Sequence, residues 1–201
     1  MPISDCQVRD PRIRRTRQLL QSALKKLMET KSFDEISVQD ITEAATVNRA
    51  TFYDHYTDKF ALLEAMVAGG FHRLLEERNV CFDGSCPSAA RAIILVACDY
   101  LSESRASAPC RPQNAFEPLM DAAITAAIRR VLMEGVGKMQ GTATPEMVAS
   151  ATSWAIYGAV KEWYATPNHP PAEEIAATIL QLVVPMLTVS AAPVPVAEWM
   201  R

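Results

Sequence analysis

The stretch from Ser37 to Lys59, SVQDITEAATVNRATFYDHYTDK, decides the fold. Ser37 reads as the N-cap of a helix, with Asp40 three residues on as its capping-box partner and Ile36 and Ile41 at the spacing of a hydrophobic staple. Val38, Ile41, Ala44 and Ala45 give that helix an apolar face. A second start follows at once, because Asn48 is a good N-cap and Val47 and Phe52 repeat the staple spacing. Only Thr46, Val47 and Asn48 separate the two helices. So short a connection forces a steep packing angle, that of a helix-turn-helix whose second helix enters the DNA major groove.

On a helical period Phe52 and Tyr56 of the second helix fall on one side and enter the core. Ala50, Thr51, Asp54 and His55 project away, with Arg49 and Tyr53 on a flank. Charge is distributed to match. Seven basic residues, Arg9, Arg12, Arg14, Arg15, Arg17, Lys25 and Lys26, meet one acidic residue, Asp10, between positions 9 and 26, although the chain of 201 residues has a net charge of -3. From Ala61 onward ten basic residues face fourteen acidic ones. A local basic patch on an acidic protein fits a DNA-binding end joined to a body that does not touch DNA.

The run VNRATFYDHYTDKFALL resembles the recognition helix and following helix of the tetracycline-repressor (TetR) family of bacterial transcription regulators, in which a T-[FL]-Y-x-H-[FY]-x-x-K pattern recurs. The likeness reaches back through a first helix from Arg12 to Thr30 and so covers residues up to about 65. It implies an all-α fold: an N-terminal three-helix helix-turn-helix domain with its arm (residues 1–57), a connecting helix (58–80), and a C-terminal helical domain for ligand binding and dimerisation (81–201). It also implies roles. Arg49, Ala50 and Thr51 face base edges, Tyr53, His55 and Lys59 hold phosphates beside the helix start at Asn48, Ser37 touches a phosphate, and Gln39 reaches a base. Arg14, Arg15 and Arg17 add backbone or minor-groove contacts. The chain departs from many relatives at Thr46, where they have Gly, and at Asp54, where they have a basic or aromatic residue. Thr46 is tolerable if its backbone stays at negative φ or the strain is absorbed elsewhere. Asp54 either accepts from a cytosine amino group or points away from DNA.

Past the reading head, the chain reads as helices throughout, with no strand signal. Pro11 opens the first helix or precedes it, and Asp58, with Thr57 as the alternative, caps a long helix interrupted by Gly69 and Gly70. That glycine pair allows bending or permits close packing. Further helices are expected at about 89–103, 115–138, 145–165 and 171–189, with Pro185 kinking the last. In the last two, Ala151, Ala155, Gly158 and Ala159 beside Trp154, Tyr157 and Trp163 form the expected partner surface. By resemblance these helices pair with their mates in a four-helix bundle, making a homodimer that binds a palindromic double-stranded DNA operator. The middle helices would enclose a pocket for a small-molecule effector, with Tyr100, Phe116, Met120, Trp154 and Tyr157 as candidate lining residues and a lipophilic or aromatic ligand implied. Binding would tilt the connecting helix and release DNA, so repression is the expected outcome.

No apolar run reaches the length of a membrane span and the start lacks a signal-peptide core, so a cytoplasmic protein is expected. An enzyme is disfavoured: His55, His72 and His169 are far apart, and no Gly-rich phosphate loop or nucleophile elbow occurs. No metal site or cofactor is expected. Cys6, Cys81, Cys86, Cys98 and Cys110 form no C-x-x-C pair, which leaves reduced thiols as the default and a thiol-based redox-sensing DNA-binding regulator as the alternative. A non-specific architectural DNA binder is disfavoured by the acidic body.

Overall fold

A computed structural model describes residues 10–78, 87–106, 117–136 and 143–187. Among them the chain is all-helical: α1 (Pro11–Met28), a single 3₁₀ turn (Phe33–Glu35), α2 (Val38–Ala45), α3 (Arg49–His55), α4 (Lys59–Glu77), α5 (Pro87–Ala106), α6 (Glu117–Val136), α7 (Pro145–Ala165) and α8 (Ala172–Leu187). Two compact units divide the chain: Met1–Glu77 with Asp99–Ala127, and Arg78–Cys98 with Ile128–Arg201.

In the first unit α1, α2, α3 and α4 each begin at a side chain that satisfies an orphan backbone N–H. The Asp10 carboxylate accepts from Arg12 N at 2.8 Å, which leaves Pro11 as the first helical residue of α1. Asp40 N donates to Ser37 Oγ at 3.1 Å while Ser37 N donates to the Asp40 carboxylate at 2.8 Å, closing the capping box expected at α2. Asn48 Oδ1 accepts from Ala50 N at 2.9 Å to start α3, and Asp58 Oδ1 accepts from Ala61 N at 2.8 Å to start α4. The helices meet over Leu20, Leu24, Ile36, Ile41, Phe52, Leu62 and Phe71, none more than 0% exposed. Burying each such side chain contributes about 1.5–3 kcal/mol, which outweighs the poor intrinsic stability of helices as short as α2 and α3.

Of the two alternatives open to Thr46, it does not stay at negative φ but takes the strained one: it adopts the left-handed conformation at φ 57°, ψ 42°, and Val47 N bonds back to Thr42 O at 3.0 Å to end α2. A β-branched residue is strained there, and the buried Ile41 and Phe52 on either side of the turn hold it in place. The glycine pair does not interrupt the long helix either, since α4 is continuous from Lys59 to Glu77. Close packing explains Gly70, because a Cβ there would lie 2.8 Å from Cε2 of Tyr100 on α5. Beside this contact Arg73 bridges Glu77 and Glu103 at 2.7 and 2.9 Å.

In the second unit, α7 starts at Thr144, whose hydroxyl accepts from Met147 N at 3.3 Å, and packs against α8. Ile156, Tyr157 and Val160 of α7 and Ala176, Ile179 and Val183 of α8 are buried. The connecting turn is held by Trp163 Nε1 donating to Pro170 O at 2.8 Å, with the His169 ring centred 4.3 Å from that of Trp163. Pro185 lies inside α8 near its end. Of the cysteines, Cys98 is buried, while Cys6, Cys81, Cys86 and Cys110 lie outside the described residues, as do the arm before residue 10 and the tail with Trp199. Among the described residues no helix is long and apolar enough to cross a membrane, and no group of His, Cys, Asp or Glu is placed to hold a metal ion.

Candidate nucleic-acid interface

The orientation of α3 is set from its buried side. Phe52 is 0% exposed and Tyr56 3% exposed, and the Tyr56 hydroxyl accepts from Arg17 Nε and Gln21 Nε2 of α1, each at 3.2 Å. The Arg17 guanidinium also lies 5.1 Å from the centre of the Tyr56 ring. A charged donor on a ring face and on its hydroxyl makes this one of the stronger anchors available to a small domain. It also overturns a sequence expectation. Arg17 is buried inside the helix-turn-helix and supports α3, whereas Arg12, Arg14 and Arg15 are exposed on α1.

With Phe52 and Tyr56 inward, Ala50 and Asp54 occupy the outward line of α3, one turn apart, and both are exposed. Tyr53 is exposed beside them, while Thr51 and His55 are half-buried at the other edge. Arg49 is exposed, its Nη2 donates to the Tyr53 hydroxyl at 3.4 Å, and its guanidinium sits 5.7 Å from the Tyr53 ring centre. Arg49, Ala50, Thr51, Tyr53 and His55 are therefore brought together on one short helix, with Asn48 exposed at its start. From α2, Gln39 is exposed and its Nε2 donates to Glu43 Oε1 at 2.8 Å. Ser37 is exposed, with its hydroxyl engaged by the Asp40 carboxylate.

Asp40 is the electrostatic hinge of this edge. Its carboxyl is held well below the usual carboxylate range, first by the hydrogen bond from Lys31 at 2.8 Å and then by those from Ser37. Lys31 is raised correspondingly by Asp40.

Lys59 is the clearest departure. Its ammonium donates to three backbone carbonyls, Phe33 O at 2.9 Å, Asp34 O at 3.1 Å and Ile36 O at 2.9 Å, and lies 4.8 Å from the Phe33 ring centre. All three of its N–H groups are thus engaged within the domain. The phosphate contact expected of Lys59 gives way to a clamp that ties the first residue of α4 to the loop between α1 and α2. Gln21 and Tyr56 complete the support of α3, although neither was expected to act in the site.

Of the candidate effector residues, Tyr100 and Met120 belong to the first unit and Tyr157 to the second, while Phe116 lies outside the described residues. Tyr100 is largely enclosed, with its ring over Gly70 and 6.4 Å from that of Phe71, and burial pushes its hydroxyl up. Met120 is half-buried and Tyr157 buried. Trp154 is corrected: at 55% exposed it faces outward from α7 and cannot line an enclosed cavity from this chain alone.

Residues 20–66 match the sequence model described as bacterial regulatory proteins, tetR family. The uncharacterized HTH-type transcriptional regulator YxbF of Bacillus subtilis (strain 168) is 46% identical over 72 residues, which span 35% of this chain and 19% of that protein. The HTH-type dhaKLM operon transcriptional activator DhaS of Lactococcus lactis subsp. lactis is 30% identical over 64 residues, 32% of this chain and 34% of that protein. The chain thus spans about a fifth and a third of the curated relatives it matches. Among solved structures, a TetR-family regulator from Streptomyces coelicolor A3 superposes with a TM-score of 0.61 at 18% identity, covering 90% of this chain and 99% of that one. The TetR-family transcriptional repressor FadR of Thermus thermophilus, solved with lauroyl-CoA, gives 0.51 at 22% identity, covering 89% and 98%. Residues 20–66 thus match the helix-turn-helix region of the tetR family of bacterial regulatory proteins, and the chain shares its fold with a solved structure described as a TetR-family regulator.

Proposed function

We propose that this chain is a DNA-binding transcription regulator that reads a palindromic operator as a homodimer, represses from it, and is released by a small lipophilic or aromatic effector. The observation that carries the reading is the outward face of α3, where Arg49, Ala50, Tyr53 and Asp54 stand exposed on a helix anchored from behind by Arg17 and Gln21. Short polar and small side chains on a rigidly held helix suit base edges, and the exposed Arg12, Arg14 and Arg15 suit phosphates. In this scheme residues 1–57 read DNA, 58–80 connect, and 81–201 dimerise and hold the effector.

The dimer is supported by an apolar surface on the second unit. Met147 and Trp154, seven residues apart on α7, are 64% and 55% exposed, Leu182 on α8 is 65% exposed, and Gly158 has open space where a Cβ would stand. Large apolar side chains left bare on adjacent helices call for a partner, and a second copy supplies the same face by two-fold symmetry. Repression and effector release rest on the family's habit. The curated relative DhaS is an activator and the Thermus FadR a repressor, so the sign of regulation is to be measured.

Selection of duplexes from a random pool, followed by anisotropy titration and light scattering, tests the reading. Enrichment of a palindrome bound by two chains supports it. A protein that remains monomeric at micromolar concentration, or a pool that never enriches, refutes it.

A further inference from the structure

Asp54 stands at the centre of the outward line of α3, opposite Phe52, and is exposed. Among the described residues its carboxylate makes no ion pair or hydrogen bond, while Arg49, the arginine of its helix, engages Tyr53. An unneutralised charge at the point of closest approach to a polyanion needs a donor on the DNA side, since a phosphate would repel it.

A carboxylate only accepts hydrogen bonds, so it fits only donor groups on base edges. In the major groove these are the cytosine N4 amino group and the adenine N6 amino group. Adenine sets the N7 acceptor beside its amino group, which repels the second carboxylate oxygen. Cytosine sets a C–H there instead. An aspartate is short, and its reach depends on close approach of the helix. Ala50, one turn away on the same line, adds no bulk to hold the helix off.

Resting on the operator-reading function above, we propose that Asp54 is a specificity-determining residue whose carboxylate accepts from the N4 amino group of a cytosine in each half-site.

Selection from a random duplex pool at fixed salt, run in parallel with the wild-type chain, Asp54→Ala and Asp54→Asn, tests this. The wild-type pool should carry cytosine at one symmetric position, preferred about ten- to a hundredfold over other bases. Asp54→Ala should lose that preference at that position alone, and Asp54→Asn should shift it to adenine, which an amide matches with both donor and acceptor. Circular dichroism checks that both variants fold. The same base at every position in all three pools overturns the proposal, as does tighter binding of every duplex without a change of preference, which would make Asp54 a repelling charge only. A wild-type pool with no enriched sequence refutes the operator reading itself, so the two failures are told apart.

Discussion

Removing the Lys59 ammonium separates two roles that the sequence motif does not distinguish. Lys59→Met keeps the apolar stem and deletes the charge together with its bonds to Phe33 O, Asp34 O and Ile36 O. Hydrogen bonds from a charged donor contribute about 1.5–3 kcal/mol each. Asp34 is exposed and its carbonyl rehydrates, whereas Phe33 and Ile36 are buried, so roughly two of the three bonds are lost without replacement. The variant should therefore lose about 3–6 kcal/mol, or roughly 6–24 °C in melting temperature for a chain of this size. Lys59→Arg should not restore it, because a planar fork cannot converge three donors on three carbonyls. The assay is thermal unfolding by circular dichroism, paired with DNA affinity at several salt concentrations on any duplex the protein binds. Each phosphate contact adds about 0.9 to the slope of log affinity against log salt. The clamp predicts a lower melting temperature with an unchanged slope. An unchanged melting temperature with a slope smaller by about 0.9 per chain would refute the clamp and restore Lys59 to the phosphate backbone.

Other outcomes follow from the same geometry. Thr46→Gly should stabilise the protein by about 0.5–1 kcal/mol, because relief of roughly 1–2 kcal/mol of left-handed strain exceeds the entropy cost of roughly 0.5–1 kcal/mol that glycine brings. Urea denaturation measures it, and a loss would mean that the threonine side chain holds the turn. At Gly69 a Cβ meets only Gln21 Oε1 at 3.8 Å, so Gly69→Ala should gain about 0.5–1 kcal/mol, whereas Gly70→Ala drives a methyl to 2.8 Å from the Tyr100 ring and should cost about 1–3 kcal/mol. Equal effects on denaturation at the two sites would exclude Tyr100 as the cause. The depressed Asp40 carboxyl adds stability that is fully present above the ordinary aspartate range near pH 4 and is lost progressively as pH falls below that range towards the lowered folded-state value. The denaturation midpoint of wild type should accordingly drop more between about pH 5 and pH 2 than that of Asp40→Asn, and parallel curves would show the carboxylate to be idle. Trp154→Glu with Leu182→Glu should leave helix content intact and convert a dimer to monomer in light scattering, since two charges per chain would face the partner.

The start signals of helices were legible because a cap is local: Ser37, Asn48 and Asp58 each act on an N–H two or three residues away. The helix ends were less so, and α1 stops at Met28 where a helix to Thr30 was expected, since helix ends carry no comparable side-chain code. The site divides similarly. Phe52 and Tyr56 were placed inward by periodicity alone, Ala50 and Asp54 outward and Arg49 and Tyr53 on a flank, whereas Thr51 and His55, expected to project away, are half-buried. Lys59 was misjudged because its partners are carbonyls 23 to 26 residues upstream, and backbone carbonyls leave no mark in sequence. One sign existed: a cation in the first turn of a helix opposes its dipole and implies another use. Arg17 also gave a sign, for it precedes Leu20 by three and Leu24 by seven on the buried stripe of α1. Trp154 had none. α7 is apolar nearly all round, and periodicity cannot tell the face taken by its own core from the face left bare.

The bond network on the Tyr56 hydroxyl limits how freely this reading head can be exchanged with others. Position 56 admits phenylalanine or tyrosine in the family pattern, but here a phenylalanine would remove the oxygen that accepts from Arg17 and Gln21. Positions 17 and 56 therefore form one structural unit, 39 residues apart in sequence. A chimera that transplants residues 49–55 from another regulator keeps the anchor and changes only the letters presented to DNA. One that runs a single residue further and carries the Tyr56→Phe change with it takes an acceptor from a buried guanidinium, and tolerates the graft best when Arg17 is replaced as well.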